Sequence, residues 1–541
     1  MLEVFASRAG PPSLKIDGRA YHSAFDPVRE AERYLETALG AGDASTVVVL
    51  GEGLGYISRA VRDRLPAARV ISIQYSRDLP APPAERADTW RPGAEEVSDF
   101  LRARLGELDV EGLRVIEWPP GARIFPEESR RVQTSLQQVL RELTGSFVTT
   151  VAAGKLWLRN CIANFLAMDS ALQGDLCSRT RPIIIAAPGP SLETAAPLLL
   201  ELRAKADLWA LPSSAPFLKA AGLTPDLLVI TDPGYYAVTH LQFDAPQCPV
   251  AMPLSAARGL WRLRRPGVTS PGGTFGPLLL SQPGLIEETF LKQAGLQAPR
   301  IAPHGTVSAT ALNLALASTT GPVIFAGLDM CTRDLSSHAR PNAFELFLLL
   351  KATRVEPFHG LSYRRNADQD ALPPEGNRAV RASRALRTYA GWFATASADG
   401  RAYRLFPSAV DLPRLAGLDE KGVRRMLSEC TPSDPGNHLT PDPRFPSREK
   451  RRRIVAGILD GWVGIISAGL EAARGAEGFT ALGRRPSLLE LAYSLEARLL
   501  LETKRKARLG DASSARDSAV ILLETCKGFL ETVGAKALHA A

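Results

Sequence analysis

The stretch Ile183-Ile184-Ile185-Ala186-Ala187-Pro188-Gly189-Pro190-Ser191-Leu192-Glu193 decides the fold. Its first five residues form an unbroken apolar run with no polar alternation, which is how a strand buried on both faces reads. Pro188-Gly189-Pro190 stops the run, and a helical pattern follows to about Ala204. Strand, glycine-containing turn and helix make the first half of a βαβ unit.

Working outward, the same pattern recurs. Leu208 to Pro212 and Leu227-Leu228-Val229-Ile230 read as further buried strands, the latter ending at Thr231-Asp232-Pro233. Thr306 to Ala317 reads as a helix, and Val323-Ile324-Phe325-Ala326 as a strand ending at Gly327-Leu328-Asp329. Short apolar strands alternating with helices predict a parallel sheet covered on both faces over 181–430.

A second unit of the same plan precedes it. In residues 1–125, Asp26 and Pro27 open a helix that runs to about Gly40. Thr46 to Leu50 is a strand, Gly51-Glu52-Gly53-Leu54-Gly55-Tyr56 turns into a helix through Arg64, and Arg69 to Tyr75 is the next strand. Residues 126–180 read as a helical connector, with Trp157, Asn160 and Asn164 on one face. Residues 431–447, rich in Pro, Asp and Asn, read as a linker. Residues 448–541 carry three helical patterns, one opened by a Ser487…Glu490 capping box. The predicted fold class is α/β: two Rossmann-like parallel-sheet domains followed by a C-terminal helical bundle.

Composition narrows the function. A hydrophobic fraction of 45% is enough to build several cores across 541 residues. The net charge of +8 is dilute over that length; it favours anionic small ligands and supplies no basic nucleic-acid module. Six cysteines, at 161, 177, 248, 331, 430 and 526, have neither metal spacing nor a disulfide framework, so reduced thiols and a cytoplasmic location are expected. No signal peptide is expected at the start of the sequence, and no uninterrupted apolar run reaches the roughly 18–20 residues that span a bilayer; no membrane partner is expected.

Chemistry is expected at the strand ends, where parallel sheets bind ligands. The Gly51–Gly55 turn lacks a carboxylate on the next strand, which reads Ser72-Ile73-Gln74-Tyr75-Ser76, so it reads as scaffold. The Gly189-Pro190-Ser191 turn suits a phosphate: glycine admits close approach, and Ser191 adds a hydroxyl beside helix N-terminal N–H groups. Asp232 and Asp329 place carboxylates on the same rim, and Thr306, Ser308 and Thr310 open a helix with three hydroxyls where capping needs one. His338, nine residues past Asp329, is the candidate general base, with His359 as its rival. Asp368-Gln369-Asp370 has the form of a metal-binding triplet but lies in a polar, proline-rich stretch, and no metal is expected there.

Seven blocks taken in order resemble the motility associated factor (Maf) family: YHSAFDPVREAERYLE (21–36), VVVLGEGLGY (47–56), WLRNCIANF (157–165), IIIAAPGPSLE (183–193), TPDLLVITDP (224–233), GTVSATALNLAL (305–316) and VIFAGLDM…SSHA (323–339). They cover about 1–430; the helical tail carries no such motif. In that family the central domain is similar to sialyltransferases and to the MptE-type 6-hydroxymethylpterin diphosphokinase. The resemblance implies a glycosyltransferase that moves a nonulosonic acid, pseudaminic or legionaminic in type, from a CMP-linked donor to Ser/Thr of flagellin, with no further cofactor. It places Gly189, Pro190 and Ser191 on the nucleotide, Thr306, Ser308 and Thr310 on its phosphate or ribose side, and Asp232 and Asp329 along the cleft. Pro188 departs from the family's small residue and removes one backbone donor. Two alternatives stand beside it: an ATP- and Mg²⁺-dependent diphosphokinase acting on a pterin, and a non-catalytic flagellar accessory that only binds a partner.

Overall fold

The computed structural model describes the chain except for residues 41–43, 80–87, 175–179, 243–247, 261–275, 283, 302–304, 396–399, 431–438, 476 and 541. Cys177 and residues 431–438 of the expected linker therefore lie outside the described residues. The chain divides into two compact units, Met1–Gly154 with Ile465–Lys527, and Lys155–Gly464 with Gly528–Ala541.

The first unit holds a parallel sheet in the order Thr89–Trp90, Arg69–Ile73, Thr46–Leu50, Leu113–Glu117, and a small antiparallel sheet built from the first 20 residues. The helix Pro27–Leu39 starts as its sequence dictates: the Asp26 carboxylate accepts from the N–H groups of Val28 and Arg29, and Pro27 takes the first turn. The glycine turn after Leu50 is spent internally. Gly53 N–H donates to Gln74 Oε1 at 3.1 Å, and Leu54 N–H donates to His22 Nε2 at 3.2 Å. A Cβ on Gly51 would stand 2.4 Å from the Tyr75 ring, and one on Gly53 2.7 Å from the Tyr21 ring. These glycines make room for the protein's own aromatic rings.

The second unit is built on a ten-stranded sheet ordered Ala416–Leu418, Ala402–Leu405, Val323–Ala326, Ile183–Ala186, Asp207–Ala210, Leu227–Val229, Val250–Pro253, Leu278–Leu280, Leu172–Gln173, Thr440–Pro441. All pairings are parallel except the last. Alternate residues of each strand face opposite cores. Ile184, Ala186, Leu208 and Ala210 pack under the helix Ser191–Leu202, while Ile183, Ile185, Trp209 and Phe325 pack under the helices Val307–Ser318 and Arg384–Thr395.

That division places a topological switch point. From Ile183–Ala186 the chain crosses one face to reach Asp207–Ala210. From Val323–Ala326, its neighbour on the other side, the chain returns over the opposite face to reach Ala402–Leu405. The two loops diverge at the strand carboxyl ends, the place where open α/β sheets bind ligands.

The connector helix is Pro126–Ala167. Asn160 Nδ2 donates to the carbonyls of Pro233 and Ser255, both at 3.0 Å, and Asn164 Nδ2 to those of Leu254 and Ala256 at 2.9 and 2.8 Å. The two amides lie on one helix face because i and i+4 do, and they hold the loops beyond two rim strands. The C-terminal region is helical: Arg448–Arg474, Pro486–Arg508 and Ala512–Ala540. The Ser487…Glu490 box does not form. Pro486 occupies the first helical position, so Arg485 is the N-cap and no side chain caps that end.

Arg448–Arg474 is long and apolar enough to cross a membrane by length and composition, which a search for unbroken apolar runs misses. Val455, Ile458, Leu459, Trp462, Ile466 and Leu470 along it are buried in the protein, the pattern of a core helix. The five described cysteines are free thiols.

Candidate functional site

At the switch point the turn 187–191 meets the loop that follows Ala326. Ala187 N–H donates to the Ala326 carbonyl and Gly189 N–H to the Gly327 carbonyl, both at 2.8 Å. A Cβ on Gly189 would stand 2.5 Å from the Gly327 carbonyl, and one on Gly327 2.2 Å from the Ala187 carbonyl. Glycine is required on both sides because two backbones touch there.

Asp329 closes this joint. Its carboxylate accepts from Ser191 N–H at 2.7 Å and from Ser191 Oγ at 2.6 Å, and it is 2% exposed. Burial pushes its pKa up; the Arg333 guanidinium, 3.6 Å away, and the two Ser191 donors pull against that. Arg333 is held in turn by Glu375 at 2.6 Å. The sequence predicts open donors at Ser191. In the structure both are engaged, because a carboxylate this deeply buried must be hydrogen-bonded to remain there.

Beyond Asp329 the loop runs to Asn342, with Met330, Asp334 and Leu335 at positive φ. Such backbone costs of order 1–2 kcal/mol per residue and persists where surrounding contacts fix it. The contacts are Asp334 N–H to the Ala379 carbonyl, Ala339 N–H to the Pro188 carbonyl at 2.7 Å, and Arg340 N–H to Glu193 Oε1 at 2.9 Å. Pro188 lacks a donor, but its carbonyl anchors this loop.

His338 therefore stands one residue from the atom that pins the 188–191 turn. Its Nδ1 lies 2.8 Å from Ser337 Oγ. Its ring lies 6.3 Å from that of His240, which ends the helix Tyr235–Thr239, and both imidazoles pack on Phe344, at 5.0 and 4.7 Å. Burial, then the proximity of His240 and Arg365, lowers the His338 pKa to about 3. Burial and Arg365 lower that of His240 to about 4. Both rings are neutral at pH 7. His359 lies in the helix Phe358–Asn366 and stacks edge-on against Phe358.

The remaining candidates are more dispersed. Asp232 is exposed on the rim two strands from Ile183–Ala186; its Oδ1 accepts from Gly234 N–H at 2.7 Å, and its charge raises the pKa of the half-buried Tyr389 after burial has done so. Thr306 is the N-cap of Val307–Ser318, yet its hydroxyl makes no capping bond. Ser308 and Thr310 are buried in that helix. This helix packs on the face opposite to Ser191–Leu202, and among the described residues no hydrogen bond joins the three hydroxyls to the 188–191 turn. Both helices start at the carboxyl rim, on opposite faces of the sheet.

Sequence reasoning missed His240, Tyr236, Phe344 and Arg365. Tyr235-Tyr236 directly after the Asp232-Pro-Gly rim turn was a usable signal, since large aromatics at a strand end favour a ligand surface. Phe344 and Arg365 carried none, because they reach the site from helices that follow the sheet strand.

Residues 159–335 match the family described as 6-hydroxymethylpterin diphosphokinase MptE-like. Two uncharacterized proteins of Treponema pallidum (strain Nichols) are similar. One is 24% identical over 301 residues, 56% of this chain and 61% of that protein. The other is 28% identical over 127 residues, 23% of this chain and 60% of that protein. The chain thus spans about three fifths of the length of the curated relatives it matches. A solved structure, that of the Maf glycosyltransferase from Magnetospirillum magneticum AMB-1, superposes with a TM-score of 0.58 at 12% identity, covering 99% of this chain and 93% of that one.

Proposed function

With an MptE-like centre set in the fold of a Maf glycosyltransferase as premise, we propose that this chain is an inverting glycosyltransferase, moving a nonulosonic acid from a CMP donor to Ser/Thr of flagellin in the cytoplasm. The observation that carries the proposal is His338, an imidazole on the loop pinned to Pro188 at the switch point, with its Nδ1 2.8 Å from Ser337 Oγ.

The chemistry is one displacement. The acceptor hydroxyl attacks the anomeric carbon, the bond from that carbon to the CMP phosphate oxygen breaks, and CMP leaves with the electron pair. With Nδ1–H donating to Ser337 Oγ, His338 Nε2 holds the lone pair that takes the hydroxyl proton. A pKa near 3 makes a weak base, but an anionic donor beside the ring raises it, so proton affinity rises when the substrate is present. The transition state is oxocarbenium-like, and the leaving phosphate lies toward the start of the Val307–Ser318 helix, where the Thr306 hydroxyl makes no capping bond, with Asp232 exposed on the same rim. Ser191 and Asp329 hold one another and fix the turn.

The test is to incubate the purified protein with flagellin and a CMP-nonulosonate and measure the mass of the flagellin. Transfer by the native protein and its loss in His338→Gln are expected; full transfer by the variant removes His338 as the base. The MptE-like match favours one other reading, ATP-dependent diphosphate transfer to a pterin. Preference for ATP over CMP in a binding competition would select it, and tight flagellin binding with no nucleotide affinity would select a non-catalytic role.

A further inference from the structure

Phe344 is the centre of a donor set that has no acceptor. The Arg365 guanidinium carbon stands 4.2 Å from the Phe344 ring centroid, on the helix Phe358–Asn366. Among the described residues no carboxylate pairs with Arg365: the neighbouring Arg364 is held by Glu356 at 2.7 Å, and Glu345, next to Phe344 in the chain, is held by Arg340 at 2.7 Å. His240 packs edge-on with the same ring, is 6% exposed, and its Nδ1 has no hydrogen-bond partner. Tyr236, 5.6 Å from the ring and 57% exposed, borders the set on the solvent side.

Arg365 itself is exposed, and the cost lies with His240. A buried ring nitrogen without a partner forfeits its hydrogen bond to water. A guanidinium laid on an aromatic face has its fork of N–H donors fixed in direction, which suits a planar pair of anionic oxygens. Glu345 and Glu356 are already engaged, and among the described residues no carboxylate forms an ion pair with Arg365, so the complement comes from outside the chain.

Building on the glycosyltransferase reading, we infer that Arg365, with His240, receives an anionic oxygen pair of the donor, namely the carboxylate of its acidic sugar, and so sets specificity for sugar acids. His338, 5.0 Å from the same ring, then lies beside the anomeric carbon that bears this carboxylate.

The experiment is calorimetric binding of CMP and of CMP–N-acetylneuraminate to the full chain and to Arg365→Ala, Arg365→Lys and His240→Gln. In the native protein the sugar acid is expected to raise affinity over CMP alone. Arg365→Ala should weaken CMP–N-acetylneuraminate by tenfold or more while changing CMP by less than twofold. Arg365→Lys, which keeps the charge and loses the fork, should fall between. Equal weakening of both probes would mean the guanidinium serves the phosphate, and unchanged binding of both would mean it serves neither; each overturns the inference and leaves the nucleotide site standing. Absence of binding of either probe to the native chain overturns the glycosyltransferase reading instead, and this inference with it. His240→Gln with native affinities while Arg365→Ala behaves as expected removes His240 from the set.

Discussion

Ser191 and Asp329 are joined by two hydrogen bonds in a place that water does not reach, so their coupling can be worked out before it is measured. A hydrogen bond to a charged group contributes about 1.5–3 kcal/mol. Ser191→Ala removes one and should cost about 2 kcal/mol. Asp329→Ala removes both and leaves the Ser191 N–H buried without an acceptor, for about 3–6 kcal/mol; Arg333 keeps Glu375, so no orphan cation adds to this. Because both variants delete the hydroxyl bond, the double variant should cost about 2 kcal/mol less than their sum. Asp329→Asn keeps one acceptor and avoids burying a charge, and should sit well below Asp329→Ala. Urea unfolding followed by tryptophan emission reads this, since Trp209 is buried in the same sheet, two strands from Val323–Ala326. Additivity within about 0.5 kcal/mol would refute a hydroxyl–carboxylate bond between Ser191 and Asp329.

Gly189→Ala should destabilise by about 1–3 kcal/mol through overpacking against the Gly327 carbonyl, whereas Gly528→Ala, in a helix with open space at its Cβ, should be neutral or stabilising by up to about 1 kcal/mol; chemical denaturation compares them. The His338 and His240 pKa values lie below the unfolded value, so the unfolded chain binds more protons in acid, and stability should fall from pH 7 to pH 5 by about 2 kcal/mol per histidine. His240→Gln should remove one such increment, read as a flatter acid limb of the urea midpoint. Glu287, buried and raised to about 8, acts oppositely: stability is present below its unfolded pKa and is lost as pH climbs through 8, and Glu287→Gln should flatten that alkaline limb. Asn160→Ala should cost about 2–3 kcal/mol by freeing two buried carbonyls, and Asn160→Asp more, because it turns an acceptor toward them.

Local chemistry made much of the fold legible. Asp26-Pro27 announced a helix start, and the apolar runs at 46–50, 183–187 and 323–326 announced buried strands, because capping and two-sided burial are written in adjacent residues. Ser487 misled for the same local reason: the box was present, but Pro486 fitted the first turn better. What adjacent residues do not encode is which strands become neighbours. The pairing of Ile183–Ala186 with Val323–Ala326, 140 residues apart, creates the switch point, and only that pairing brings Asp329 onto Ser191. Arg365 and Phe344 were invisible because their partner His240 lies more than 100 residues earlier.

The Ser191–Asp329 joint also changes what a substitution at the turn means for activity. A serine whose donors were open would contact the ligand directly, and its loss would weaken nucleotide binding. Here the serine contacts the carboxylate at the base of the 327–341 loop, and that loop carries His338 and is pinned to Pro188. Ser191→Ala should therefore loosen the placement of the imidazole while leaving the start of the Val307–Ser318 helix, the proposed phosphate side, where it is. A lowered kcat with little change in CMP affinity is the expected signature, since a misplaced proton acceptor slows the chemical step without altering ground-state binding. A proportionate loss of CMP affinity would instead mean that the serine leaves Asp329 to contact the nucleotide, and would refute a purely positioning role for the joint.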